Sequence, residues 1–138
     1  MDKPELTIGA HGAATAVVGD ADLADKVALA PGDAFPAVYA TSRMIALMEL
    51  AAARAMASAL GDGENSVGVT VEVEHTSPTP AGASVTAEAR YLGREGKLYL
   101  FEVVARDEAG IIGQGRHKRA IVNAERLEAR AAERGSPG

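Results

Sequence analysis

In SVGVTVEVEHT, residues 66–76, valines recur at 67, 69, 71 and 73, and His75 stands where the next member of that row is due. Alternate residues of a strand share a face. The spacing therefore predicts a half-buried strand whose apolar side ends in an imidazole, with Thr70, Glu72 and Glu74 on the other side. Such a ring, with an ordinary pKa of about 6.5, can take a proton from water or give one to a leaving group near neutral pH. The structural alternative is a core-edge histidine bonded to backbone. Glu49 is the second candidate. It interrupts MIALMELAAARAMASAL, residues 44–60, on a stripe with Ile45, Ala52, Ala53 and Met56, none of which carries a charge. An unpaired carboxylate there is expensive, so Glu49 either does chemistry or reaches across to Arg119 or Arg116. Thr41, at the start of the same segment, offers a hydroxyl that is either reactive or a plain helix cap. Eight residues of helix span about 12 Å, so Thr41 and Glu49 do not touch, and a site using both must be gathered from several elements.

The elements that would position these groups follow from pattern. Residues 44–60 are rich in alanine, leucine and methionine, strong helix formers. Thr41 or Ser42 can cap the start and the GDGEN run from Gly61 stops it. Apolar nearly all round, the helix is expected to be wrapped by other structure. Ser66–Ser77, Ser84–Leu92, Lys97–Arg106 and Ile111–Val122 read as strands, the later ones separated by GREG and DEAG turns, and suggest an antiparallel meander. A further strand is expected within Leu6–Val18, followed by the loop ALAPGDAFPAV. Asn123 is placed to cap a charged C-terminal helix, AERLEARAAER. The class is α+β: one long central helix held by a curved antiparallel sheet of about five strands. Residues 1–138 read as one domain, with 1–5 and 135–138 expected to fray.

Composition narrows the function classes. Nineteen acidic against 14 basic residues give a net charge of −5, with no global pull toward nucleic acid. In RHKR, residues 116–119, strand alternation puts His117 and Arg119 on one face with Gly113 and Gly115, and Arg116 and Lys118 on the other. That divides the charge where a nucleic-acid surface would gather it. There is no cysteine, so thiol and disulfide chemistry are excluded. The only histidines are His11, His75 and His117, without HExxH spacing, so no metal site and no cofactor are expected, and His11 reads as surface. Residues 44–60 are slightly short for a membrane span and broken by charge, and MDKPELTIGAHG lacks a signal-peptide core; no membrane association and a cytoplasmic location are expected.

Three separated segments, FPAVYATSRMIALMELAAARAM, VGVTVEVEHTSPTPAG and GQGRHKRAIVN, resemble the hotdog-fold thioesterases, most closely the fluoroacetyl-coenzyme A thioesterase family, over about Phe35–Asn123. The resemblance implies a catalytic set of Thr41, Glu49 and His75. It also implies substrate contacts at Gly68, near the thioester carbonyl, at Arg119, and at Phe35 in the loop before the helix. An aromatic lid lies in that loop in the family, and here Gly32 stands where a second phenylalanine is expected. An acyl-coenzyme A substrate, a homodimer and a site straddling two subunits are implied as well. The activity so implied is hydrolysis of a short or medium acyl-coenzyme A thioester. Covalent and general-base routes both remain open, and a strict fluoroacetyl-coenzyme A thioesterase is an alternative. So is a non-catalytic acyl-coenzyme A sensor, which would need no Glu49 and His75 together.

Overall fold

The computed structural model describes residues 5–136. Strand β1 (His11–Val17) leads through 3-10 turns at Asp20–Asp22 and Ala24–Val27 to helix α1 (Thr41–Ala55). Strands β2 (Glu64–His75), β3 (Ser84–Glu95), β4 (Leu98–Asp107) and β5 (Gly110–Asn123) follow, and helix α2 (Ala124–Gly135) closes the chain. Asn123 caps α2 as expected, its Oδ1 accepting from the Arg126 N–H at 2.9 Å. Of the ends expected to fray, residues 1–4 and 137–138 lie outside the described residues, whereas Gly135 is the last residue of α2.

The strands form one antiparallel sheet in the order β1-β3-β4-β5-β2, with α1 lying against it in the hotdog arrangement. Three of the four strands expected to form a meander do so. The fourth, β2, pairs with β5 instead of with its neighbour in sequence, β3. The reason lies in TSPTPAG, residues 76–82: Pro78 and Pro80 lack an N–H and hold extended backbone, so the segment crosses between strands and cannot close a tight hairpin. Thr79 anchors the crossing, fully buried, with its hydroxyl donating to Asp107 at 2.8 Å.

Helix α1 is not wrapped all round. It packs mainly on β1 and β3, burying Met44, Leu47, Met48, Ala51, Ala52 and Ala55. Arg43, Ala46, Leu50 and Arg54 face outward, because a five-stranded sheet covers only one side of a helix. Close approach is set by Gly12 on β1: a Cβ there would press into the backbone of Ala51 and Ala55. Arg54 reaches over the same strand, donating to the Ala13 carbonyl at 2.9 Å, which partly covers a free sheet edge.

The valine row of β2 is broken by a bulge. Gly68 pairs with Arg119 and Thr70 with Lys118, which leaves Val69 out of register. The row that ends at His75 is therefore Ser66, Gly68, Val71 and Val73, and Val67 belongs to the opposite side. On that opposite side Glu72, Arg116, Glu102 and Arg90 are register partners across β2, β5, β4 and β3, a row of alternating charge. Arg116 and Lys118 thus sit away from the helix, as strand alternation predicts.

Gly12→Ala is expected to destabilise the fold by about 1–3 kcal/mol, the usual penalty of overpacking, since all three atoms it would meet are backbone. Urea unfolding of the variant at neutral pH checks this; an unchanged midpoint would show that β1 is free to move away from α1.

Candidate functional site

The site residues fall into two clusters along α1. The first is at its N-terminus. The N-cap position is Ala40, and no side chain caps the helix, contrary to the expectation for Thr41 or Ser42. Thr41 Oγ1 instead lies 2.8 Å from His75 Nδ1. The hydroxyl is drawn away from the helix end because β2 finishes beside it. The other ring nitrogen, Nε2, is buried and has no hydrogen-bond partner among the described residues. Both side chains border a cavity of about 370 Å³ whose walls include Pro36, Val38, Tyr39 and Pro78. Burial holds the His75 pKa below its ordinary value, partly offset by a hydrogen bond to the Ser77 backbone. Burial, with Asp22 nearby, pushes the Tyr39 phenol up to about 12, so this wall stays neutral.

The second cluster is two turns on. Glu49 finds its charge partner on the sheet: Arg119 Nη1 donates to Glu49 Oε2 at 2.9 Å, the cross-element pair that sequence offered as its alternative. The Arg119 side chain is 7% exposed and the Glu49 side chain 40%. Arg119 is otherwise occupied by Ser66, with Nε donating to its hydroxyl and Nη2 to its carbonyl, both at 2.9 Å. Gly68 lies against the carboxylate, where a Cβ would collide with Glu49 Oε2. The bulge puts it there.

Thr41 and His75 are thus brought together, as are Glu49, Gly68 and Arg119. Within one chain the two groups do not share the cavity, whose walls include none of the second set. Phe35 joins neither cluster; it is 50% exposed in the loop before α1. Two further residues belong to the second cluster. His117 is visible by parity with Arg119, but Ser66 carries no signal, because the bulge that puts it on the same side as His75 is not written in the valine spacing. His11 is on the surface, 3.2 Å from Glu88. Among the described residues, no cluster of His, Asp or Glu could hold a metal ion, and no helix is long and apolar enough to cross a membrane.

Comparison with known proteins bears on what this geometry serves. Residues 18–125 match the family model of the fluoroacetyl-CoA-specific thioesterase FlK. The fluoroacetyl-CoA thioesterase of Streptantibioticus cattleyicolor is 40% identical over 104 residues, 75% of each chain. The chain belongs to the fluoroacetyl-CoA-specific thioesterase family. A solved structure of FlK superposes with a TM-score of 0.87 at 33% identity, covering 97% of this chain and 100% of that one. A mutant of that protein in complex with acetyl-CoA superposes at 0.86, also at 33% identity, covering 94% and 99%. A hypothetical protein of Thermus thermophilus in the thioesterase superfamily gives 0.83 at 29% identity, covering 94% and 96%. The hotdog fold expected from the sequence is the fold of this family.

Two histidine rings, His117 buried and His75 partly buried, make folding sensitive to acid. Burial lowers the pKa of His75 and, first among its causes, of His117, where Arg119 adds to the effect while a bond to the Thr70 backbone and the Glu49 charge oppose it. Below about pH 6.5 the unfolded chain binds protons on these rings before the folded chain does. Stability is therefore expected to fall as pH drops through that value, levelling off once the folded rings also protonate. In urea unfolding between pH 7.5 and 5, His117→Gln should lose less stability than wild type; an equal or steeper fall would contradict the burial of a neutral ring.

Proposed function

We propose that this chain hydrolyses acyl-CoA thioesters, with Thr41 and His75 as the reacting pair and Glu49 as the group that activates water. The observation that supports this best is the 2.8 Å contact of Thr41 Oγ1 with His75 Nδ1 at a cavity wall, with the second ring nitrogen unengaged. A ring whose pKa is held down is neutral at pH 7 and can accept the hydroxyl proton as Oγ1 adds to the thioester carbonyl. Collapse breaks the C–S bond, and the imidazolium returns that proton to the departing CoA thiolate. An ester on Thr41 remains. Glu49, pinned through Oε2, keeps Oε1 to draw a proton from the water that attacks this ester. As the C–Oγ1 bond breaks, that proton passes to Thr41 Oγ1 and the free acid leaves, with a backbone N–H near Gly68 assigned to hold the oxyanion.

A second copy would complete the site. β2 is a sheet edge, Val69 and Val71 beside it are 51% and 41% exposed, and Glu49 is open to solvent on the same side. A homodimer pairing these edges buries that surface and brings one protomer's Glu49 toward its partner's cavity. Light scattering at micromolar concentration is expected to give a dimer; a monomer would exclude a shared site.

The acyl group accepted extends beyond two carbons. Glycine at position 32 offers neither apolar area nor rigidity, and the single Phe35 of the loop is half exposed, so the cavity is poorly closed. Fluoroacetyl-CoA should be favoured over acetyl-CoA only through its more reactive carbonyl. Specificity constants for acetyl, fluoroacetyl, butyryl and a branched or aromatic acyl ester test this; a marked preference for fluoroacetyl over all others would restore the strict specificity in the family's name.

His75→Ala is expected to lower kcat by roughly 10²–10⁴-fold, the usual worth of a positioned acid/base group, with a cooperative fold. Thr41→Ser should retain turnover and Thr41→Val should lose it, with an acyl adduct on Thr41 seen by mass spectrometry of the quenched wild type. An active Thr41→Val would show that water attacks directly. Glu49→Gln, which keeps an oxygen for Arg119, should fold and stall at the ester; a fully active variant would leave Glu49 only its ion pair.

A further inference from the structure

Of the polar side chains near the second cluster, the His117 ring is the most deeply enclosed, at 1% exposure, and nothing in the proposed reaction uses it. Its two nitrogens have unambiguous partners. Nδ1 lies 2.8 Å from the Thr70 carbonyl, which only accepts, so Nδ1 carries the hydrogen. Nε2 lies 3.0 Å from Arg119 Nη1, which only donates, so Nε2 holds a lone pair. The ring is a neutral Nδ1–H tautomer fixed from both sides.

The consequence falls on Glu49. Arg119 Nη1 has two hydrogens, and they go to Glu49 Oε2 and His117 Nε2. Without the second acceptor that nitrogen would carry an unsatisfied buried hydrogen, and the guanidinium plane would be held only by Ser66. Glu49, 40% exposed, is free to swing into solvent if its anchor moves. The same ring also steadies the bulge. Thr70, whose carbonyl it holds, is the first residue back in register after Val69, and a Cβ on Gly68 would sit 3.1 Å from His117 Cε1. One buried imidazole therefore touches both the carboxylate's anchor and the strand segment whose backbone faces that carboxylate.

We propose that His117 is a positioning residue for Glu49, acting through Arg119 as a neutral Nδ1–H tautomer. The proposal rests on the thioesterase reading for its kinetic test only. Arg116 and Lys118 flank it in sequence but lie on the other face of the sheet, so the groups that meet the ring are Arg119 from β5, Glu49 through it from α1, and the Thr70 backbone from β2.

Three variants separate positioning from bulk. His117→Leu fills the space and removes both hydrogen bonds. His117→Gln keeps an oxygen able to accept from Arg119, and His117→Asn keeps an N–H toward Thr70 but is too short to reach the guanidinium. Misplacing a reacting group by about 1 Å reduces rate by up to about 100-fold, so His117→Leu should lower kcat roughly 10- to 100-fold while KM stays within about threefold. His117→Gln should recover most of that loss and His117→Asn should not. If the leucine variant fails to fold, the order of Gln above Asn still decides. In a Glu49→Gln background, His117→Leu should lower kcat no further. Wild-type kcat in His117→Leu, equal kcat in Gln and Asn, or an additive effect in the double variant would each overturn the proposal. The nitrogen-15 shifts of the His117 ring provide a readout free of activity. At pH 7.5 they should report hydrogen on Nδ1 alone, and hydrogen on Nε2 would overturn the assignment even if the wild type released no thiol from any acyl ester, the result that would remove the thioesterase reading itself.

Discussion

A guanidinium taken almost wholly out of water constrains everything near it. Arg119 is 6% exposed, and a cation so placed must have its donors matched and its charge balanced. Ser66 takes Nε and Nη2, while Glu49 and His117 share Nη1. Stripping the counter-charge from a fully buried pair is strongly destabilising, by about 3–5 kcal/mol; here the figure is smaller, because the Glu49 side chain is 40% exposed and solvent screens it. The geometric demand remains whatever the energy. α1, β2 and β5 must each deliver one partner to the same point, so the position of the central helix over that side of the sheet is fixed by polar bonds where apolar contact is sparse.

The bulge at Val69 is the backbone's answer to that demand. Without an extra residue there, Ser66 and His75 would fall on opposite sides of β2. With it, one strand supplies Ser66 to the arginine, Gly68 to the carboxylate and His75 to Thr41. Glycine at 68 leaves room for the ion pair, since a Cβ there would press on the His117 ring and push the Glu49 carboxylate from its place. The two polar clusters are therefore coupled through one strand although they lie two helical turns apart.

The two faces of the sheet divide the labour. The helix-facing side carries the buried polar groups and an apolar core in which the Tyr91 ring packs, tilted, against Phe101 and Tyr99 at 5.6 and 5.8 Å between ring centres. The outward side carries alternating charge, with Arg90 and Glu102 at 3.4 Å. Such a face stays wet. The unpaired edge at β2 differs, with Val69, Val71 and Glu49 open to solvent there.

Much of this was legible in the chain. Thr41, Glu49 and His75 stood out as polar groups in apolar settings, the α+β class followed from helix and strand periodicity, and the split of RHKR across a strand followed from alternation alone, because a side chain's face in a regular strand depends only on counting. Counting fails at an insertion: the bulge at Val69 is invisible in SVGVTVEVEHT, so alternation puts Val67 on the side of His75 where Ser66 and Gly68 belong. Pairing of β2 with β5, the exposed stripe of α1 and the use of the Thr41 hydroxyl on His75 in place of a helix cap were likewise beyond reach. Each is a competition between partners distant in sequence, decided by which groups the closed sheet brings within hydrogen-bond range. Local pattern determined which residues could do chemistry; only the tertiary structure decided which of them are neighbours.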